Sequence, residues 1–194
     1  MKLIKSFLLL PLLIVSFAAP AMAQRVAVFS EDRVLAESQV GQHVAGRLSQ
    51  IATEMQTELQ AVAAPVQQER ERWNAETASM TEEAIQARPD LMQRYNQIVQ
   101  GMGVVRQAEQ FASQEMDQTR AQALRPVRER LNVIIPAILE EQNVDILLER
   151  RSVSFAGESV DISDTIIQRL NAELPTVTVS RVRIPREAAA QQAQ

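Results

Sequence analysis

Between Gln42 and Gln142 apolar side chains recur every three or four residues, the spacing that lays one continuous stripe along a helix. The pattern breaks hard only at Arg88-Pro89-Asp90, and short runs of β-type residues flank it on both sides. This outline predicts an α+β chain, mainly α, in which residues 42–142 form a long antiparallel, coiled-coil-like helical hairpin with its tip near 88–90. Residues 24–41 and 143–174 are expected to form a small antiparallel, β-rich base. Arms of roughly 45 residues each would extend about 65–70 Å at ~1.5 Å per residue. A compact domain has no need of such reach, so the arms are expected to hold or space something.

In the first arm Leu48, Ala52, Met55, Leu59, Val62, Val66, Trp73 and Met80 keep the 3,4 alternation, with Glu69 and Glu76 intruding at two seam positions. Leu91, Tyr95, Ile98, Met102 and Val105 continue it on the returning arm, and Leu124, Val127, Leu131, Ile134 and Ile138 form a stronger stripe toward the base. The root should be firmer than the tip. Pro65, Pro126 and Pro136 lie inside these helices, where each removes a backbone donor and is expected to bend its helix. With a tip at Arg88, Trp73 falls level with Gly101 and Gly103, helix-weakening residues whose expected use is to make room for the indole.

Outside the hairpin, Arg25 to Ser30 reads as a short strand, followed by a short helix from Asp32 to Glu37 and a turn at Gly41 or Gly46. Val144 to Glu149 and Ser152 to Ala156 read as two more strands around Arg150-Arg151. Asp161 and Ser163 are helix-cap candidates for a helix reaching about Glu173, with Asp164 suited to its positive end. Residues 175–194 form an extended or disordered tail. Val177 and Val179 can add an edge strand there, and Ala188 to Gln194 is expected to be disordered.

At the N-terminus Lys2 and Lys5 precede an apolar run from Phe7 to Phe17 and the Ala21-Met22-Ala23 triplet. That is the order of a secretory signal, residues 1–23, with Ala21 and Ala23 as the cleavage-site small residues. The run is too short for a membrane span of ~20 residues, so the mature chain is expected in the periplasm. Cleavage removes both lysines and leaves 18 arginines against 24 acidic residues, a formal charge of −6. Nucleic acid is therefore not an expected partner, because its affinity rests on cationic neutralisation of phosphates. The chain has no cysteine, and only Phe29, Trp73, Tyr95, Phe111 and Phe155 are aromatic after the signal. A thin hairpin with so little to bury is expected to oligomerise.

Candidate chemistry is sparse. His43 is the only histidine, which leaves a histidine-based triad or metal site without a second member. Glu69, Glu71, Glu82, Glu83, Glu140 and Glu141 sit on helical faces, where paired surface charge is the expected role rather than acid/base work in a dry pocket. No glycine-rich phosphate loop occurs. No enzymatic activity, metal or cofactor is expected. Arg120, Arg125, Arg128 and Arg130 form the densest basic stretch, near the root of the second arm, and are read as salt-bridging residues or a patch for acidic segments.

The strings Arg25-Val-Ala-Val-Phe, Asn143-Val-Asp-Ile-Leu-Leu-Glu, Ser152-Val-Ser-Phe-Ala, Val160-Asp-Ile-Ser-Asp and Ile166-Ile-Gln-Arg-Leu-Asn, in this order around a helical hairpin, resemble the Skp (OmpH-like) family of periplasmic chaperones. The resemblance implies a jellyfish-shaped homotrimer whose bases associate through Val26, Val28, Phe29, Val144, Ile146, Leu148, Val153 and Phe155. It also implies a cavity between the arms that holds unfolded outer-membrane β-barrel proteins without ATP until insertion. Met55, Trp73, Met80, Met92, Tyr95 and Met102 are the client-binding candidates, because methionine and aromatic side chains adapt to many shapes. Such residues otherwise form the seam. The best-known members of the family are basic and lysine-rich, and this acidic, lysine-free chain argues against contact with lipopolysaccharide or anionic lipid. The alternatives are an envelope coiled-coil scaffold that binds no client, and, ranked last, an efflux-type adaptor, for which the segment before the first arm is too short.

Overall fold

The computed structural model describes residues 24–185. The proposed signal peptide with Ala21 and Ala23, and the segment from Ala188 to Gln194, lie outside the described residues. The chain runs β1 (Val26–Phe29), α1 (Glu31–Glu37), α2 (Gln39–Thr77), α3 (Glu82–Gln86), α4 (Pro89–Glu141), β2 (Ile146–Glu149) and α5 (Ser163–Glu173). Single 3-10 turns at Arg150–Ser152 and Glu158–Val160 separate β2 from α5.

Helices α2 and α4, of 39 and 53 residues, are roughly 58 and 80 Å long at 1.5 Å per residue. Both continue through their internal prolines, Pro65 in α2 and Pro126 and Pro136 in α4. The longer α4 runs past the start of α2 and packs against α5. Its Ala123, Val127, Leu131, Ile134 and Ile138, spaced by three or four, are all buried. They meet Val40, Val44, Ile51 and Met55 of α2, Val34 of α1 and Ile166, Ile167 and Leu170 of α5. Ile51, rather than the expected Ala52, faces this core, since Ala52 is exposed.

The two strands pair in parallel, Val26 opposite Ile146 and Phe29 opposite Glu149. This corrects the antiparallel base expected from sequence. An antiparallel pair needed a hairpin around Arg150-Arg151, but Arg150 instead opens a 3-10 turn and its guanidinium donates to the Ala156 carbonyl at 2.9 Å. Residues 152–156 are thereby held in a loop and form no strand. What remains is a pair joined by the whole helical crossover, the kind of long connection that parallel strands require.

Several ends are set by local chemistry. Ser30 caps α1 by accepting from the Arg33 N–H at 3.2 Å, and Ser38 caps α2 by accepting from Gly41 at 3.2 Å. Helix α4 ends with Asn143 at φ 52°, a left-handed position that asparagine tolerates. There the Val144 and Asn143 amides donate back to the carbonyls of Leu139 and Glu140. Of the two expected cap residues, Asp161 accepts from the Ser163 N–H at 2.8 Å. Ser163 does not cap α5; its buried hydroxyl accepts from the Ser30 N–H at 2.9 Å and so ties β1 to α5.

The tip also differs from expectation. Trp73 on α2 lies against Leu91 and Tyr95, not against Gly101 or Gly103. The room at Gly101 is taken by Val66, whose Cγ2 would stand 2.8 Å from an added Cβ, while Gly103 faces open space. The mirror line of the hairpin thus lies within α3, several residues before Arg88. The reason is that the chain folds a capped helical turn, Thr81 accepting from Ala84, between the arms. At the start of α4, Arg88 grips the Asp90 carboxylate through two bonds of 2.8 and 2.5 Å.

Two expected outcomes follow from this packing. A Cβ on Gly41 would stand 1.7 Å from the Leu35 carbonyl oxygen. The overpacking cost of about 1–3 kcal/mol should outweigh the ~1 kcal/mol helix-propensity gain of alanine, so Gly41→Ala should lower the urea midpoint, whereas an unchanged midpoint would show that α1 can move aside. The Arg88 bonds hold the Asp90 carboxyl down, from an ordinary 3.8 to about 2. Because the folded value is lowered, the tip gains from this pairing above the ordinary value and loses it as pH falls through about 2. A carboxyl NMR titration should place Asp90 there and move it upward in Arg88→Ala.

Candidate functional site

The outer half of the hairpin is two helices thick and buries little. On α4 Leu91 and Ile98 are enclosed, whereas Tyr95, Val99, Met102 and Val104 remain exposed, as does Val62 on α2. Tyr95, Val99 and Met102 follow the i, i+4, i+7 spacing that places them on one face. Beside Met102 lies a shallow groove between the arms, about 230 Å³, lined by Ala63, Val66, Val105 and the polar Gln67, Arg70, Arg106 and Glu109. It is smaller than the ~300–1,000 Å³ of a small-molecule site and suits a chain laid across it.

Directional contacts hold this thin region in register. The Trp73 indole N–H donates to the Leu91 carbonyl at 3.2 Å, and its ring lies 5.4 Å from that of Tyr95, tilted by 43°. The two glutamates that intrude on the apolar seam, Glu69 and Glu76, both receive Arg94 from the opposite helix, at 2.7 and 2.5 Å. One guanidinium thus neutralises both intruding charges.

Of the six apolar candidates read from sequence, Tyr95 and Met102 are exposed, and Trp73, Met80 and Met92 are half-buried. Met55, at 4% exposure, belongs to the root core and offers no surface. Val99, Val104 and Val133 are exposed residues that the sequence reading passed over. Their signal was available, since each sits one helical step off the apolar stripe.

A second apolar surface lies at the base. Val26, Ile146 and Leu148 are each about two-fifths exposed, and Phe155 is 85% exposed. Val28 is buried, and Phe29 and Val144 pack against the core, so these three serve the fold of the single chain. Val153 is half-buried in the loop.

The third feature is the segment from Pro175 to Pro185. It forms no edge strand; it runs extended up the hairpin, packed on helices. Val179 is buried in the root core, and the Val177 carbonyl lies 3.0 Å from His43 Nε2, which gives the lone histidine a role in tethering. Arg181 then inserts between the arms. Its Nε and Nη2 donate to Glu115 Oε2 of α4 at 2.9 and 2.7 Å, and Nη1 donates to Glu58 Oε1 of α2 at 2.8 Å. The Glu115 side chain is 9% exposed and that of Arg181 13%. Two backbone amides complete the seat, Val182 donating to Thr119 Oγ1 at 2.9 Å and Ile184 to Glu115 Oε1 at 3.1 Å. The buried Thr119 hydroxyl donates in turn to the Glu115 carbonyl. The hydrogen bond from Arg181 holds the Glu58 carboxyl below the usual glutamate range.

The basic stretch at the root is partly paired, Arg125 with Glu129 at 3.7 Å and Arg130 with Glu173 at 3.4 Å. Arg120 and Arg128 have no carboxylate within 4 Å among the described residues. No group of three or more histidine, cysteine or acidic residues is placed to hold a metal among the described residues. No described helix is long and apolar enough to cross a membrane.

Comparison with known proteins agrees with this geometry. In structure the chain is similar to an OmpH-like protein of Caulobacter crescentus CB15 described as a candidate outer membrane chaperone. The TM-score is 0.65 and the identity 26%, over 87% of this chain and 95% of that one. No curated protein sequence matches. The family described as Outer membrane protein (OmpH-like) matches residues 25–170, which takes in the base, the whole hairpin and most of α5 and stops before the Pro175–Pro185 segment. The chain belongs to the OmpH-like family.

Proposed function

We propose that this protein is an ATP-independent periplasmic holdase chaperone. Three copies associate through their bases, and their arms enclose one unfolded outer-membrane β-barrel protein until it is inserted. The observation that carries the reading is the exposed Tyr95, Val99 and Met102 stripe on a hairpin arm too thin to bury it. Membership in the OmpH-like family and likeness to a candidate outer membrane chaperone support a chaperone role in general.

The physical logic runs from client to arm. An unfolded barrel exposes strands that alternate apolar and polar residues and aggregate when their edges meet. A long arm that offers scattered apolar side chains gives many weak contacts, which add through effective concentration while each one breaks quickly. Release then requires no nucleotide, because the membrane-inserted barrel is the better partner. The exposed Val26, Ile146, Leu148 and Phe155 at the base supply the surface for self-association. No catalytic step enters this mechanism. The signal-like N-terminus supports export to the periplasm, and the acidic, lysine-free mature chain makes contact with lipopolysaccharide or anionic lipid a poor fit.

Native mass spectrometry of residues 24–194, alone and after mixing with a urea-unfolded porin, should show a trimer that captures one porin. A dimer, or a trimer that ignores the porin, would favour the envelope-scaffold reading instead. Ile146→Asp with Leu148→Asp should shift the trimer to monomer while far-UV circular dichroism stays helical. Replacing Tyr95, Val99 and Met102 together by serine should weaken porin capture at least tenfold. Val99→Ser should alter stability by no more than ~0.5 kcal/mol, whereas Tyr95→Ser also removes the ring contact with Trp73, at about 0.5–1.5 kcal/mol, so helical circular dichroism is recorded alongside capture.

A further inference from the structure

In the segment Thr176-Val-Thr-Val-Ser-Arg-Val-Arg-Ile184 the apolar positions shift by one at Ser180-Arg181, so that Val177, Val179 and Arg181 share one face of the extended chain, and it pairs with no described strand. Instead it lies extended on the hairpin in a seat made from side chains of both arms. The seat reads three things. Val179 enters an apolar site at the root, Arg181 enters a carboxylate pair, and the alternate amides of Val182 and Ile184 meet acceptors on α4. Beyond Ile184 the groove continues between Leu59 and Val62 of α2 and Ala108 and Phe111 of α4. Only an apolar residue and an arginine two positions on are demanded of an occupant, because backbone amides carry no sequence identity.

We propose that this groove is a binding site for extended segments in which an apolar residue and an arginine lie two positions apart, and that Pro175–Pro185 is its built-in, displaceable occupant. The segment lies beyond the residues that the family description matches. In the holdase reading, on which the identity of the outside ligand rests, the ligand is a segment of an unfolded barrel that carries an arginine two residues from an apolar one. Charge complementarity supports this choice, since Glu58 and Glu115 face the groove from opposite arms. A tethered occupant acts at an effective concentration of about millimolar. Short or weak ligands are therefore excluded, and a long client displaces the strap by engaging the outer arm at the same time.

The test uses the full mature chain and a fluorescent peptide with the sequence of Thr176 to Pro185. In fluorescence anisotropy the double variant Arg181→Ser/Arg183→Ser, whose own strap is loosened, should bind the peptide at least tenfold more tightly than the unaltered chain. A peptide with serine in place of the first arginine should not bind. Equal peptide binding by both chains, with helical circular dichroism intact, would overturn the proposal. Porin aggregation is read separately. Peptide exchange without porin protection would support the groove and sink the holdase reading, whereas porin protection without peptide exchange would do the reverse.

Discussion

Two helices lying side by side can bury only the stripe each turns toward the other, and this limit governs the molecule. Wherever α2 and α4 are alone, most of their side chains stay in water. Only at the root, where α1, α5 and the Pro175–Pro185 strap add further surfaces, does a three-dimensional core form around Val127, Ile134, Ile138, Ile166 and Leu170. Firmness at one end and thinness at the other are consequences of element count, and residue quality follows: branched aliphatics gather at the root, while methionine, tyrosine and scattered valine mark the outer arm.

A thin hairpin still needs register, and polar chemistry provides it where apolar area cannot. Arg94 joins Glu69 and Glu76, Trp73 donates to Leu91, and Arg181 joins Glu58 to Glu115. Each of these contacts spans the two arms or bridges them through a third segment, and each fixes an axial position as a sliding apolar stripe cannot. Every cationic residue after Lys5 but His43 is an arginine, which fits this role, since its planar fork makes two directed bonds where lysine makes an undirected one. An acidic chain with few cations places most of them where they hold structure rather than on a basic surface.

This arrangement leaves two apolar surfaces free, the outer-arm stripe and the base patch, which is the combination an assembling, client-holding arm requires. The strap adds a third element. It closes the root groove with hydrogen bonds, three of them centred on the buried Glu115.

The capping serines Ser30 and Ser38 were passed over, whereas the periodic apolar stripe, the break before Pro89 and the family strings were legible along the chain, because each depends on residues within a turn or two of one another. The hairpin and its firm root followed from these. What pairs with what at long range did not follow. The parallel pairing of β1 with β2 joins the two ends of the helical hairpin, and a 3-10 turn at Arg150 takes the place of the expected third strand. The level of Trp73 depended on a capped turn at Thr81 that shifted the hairpin's mirror line. The strap's seat on Glu58 and Glu115 joins residues more than sixty positions apart. Sequence by itself therefore determined which elements form and how they are patterned, since that is local chemistry. Only the tertiary structure decided their register, partners and exposed faces, because those depend on which surfaces compete for the same place in space.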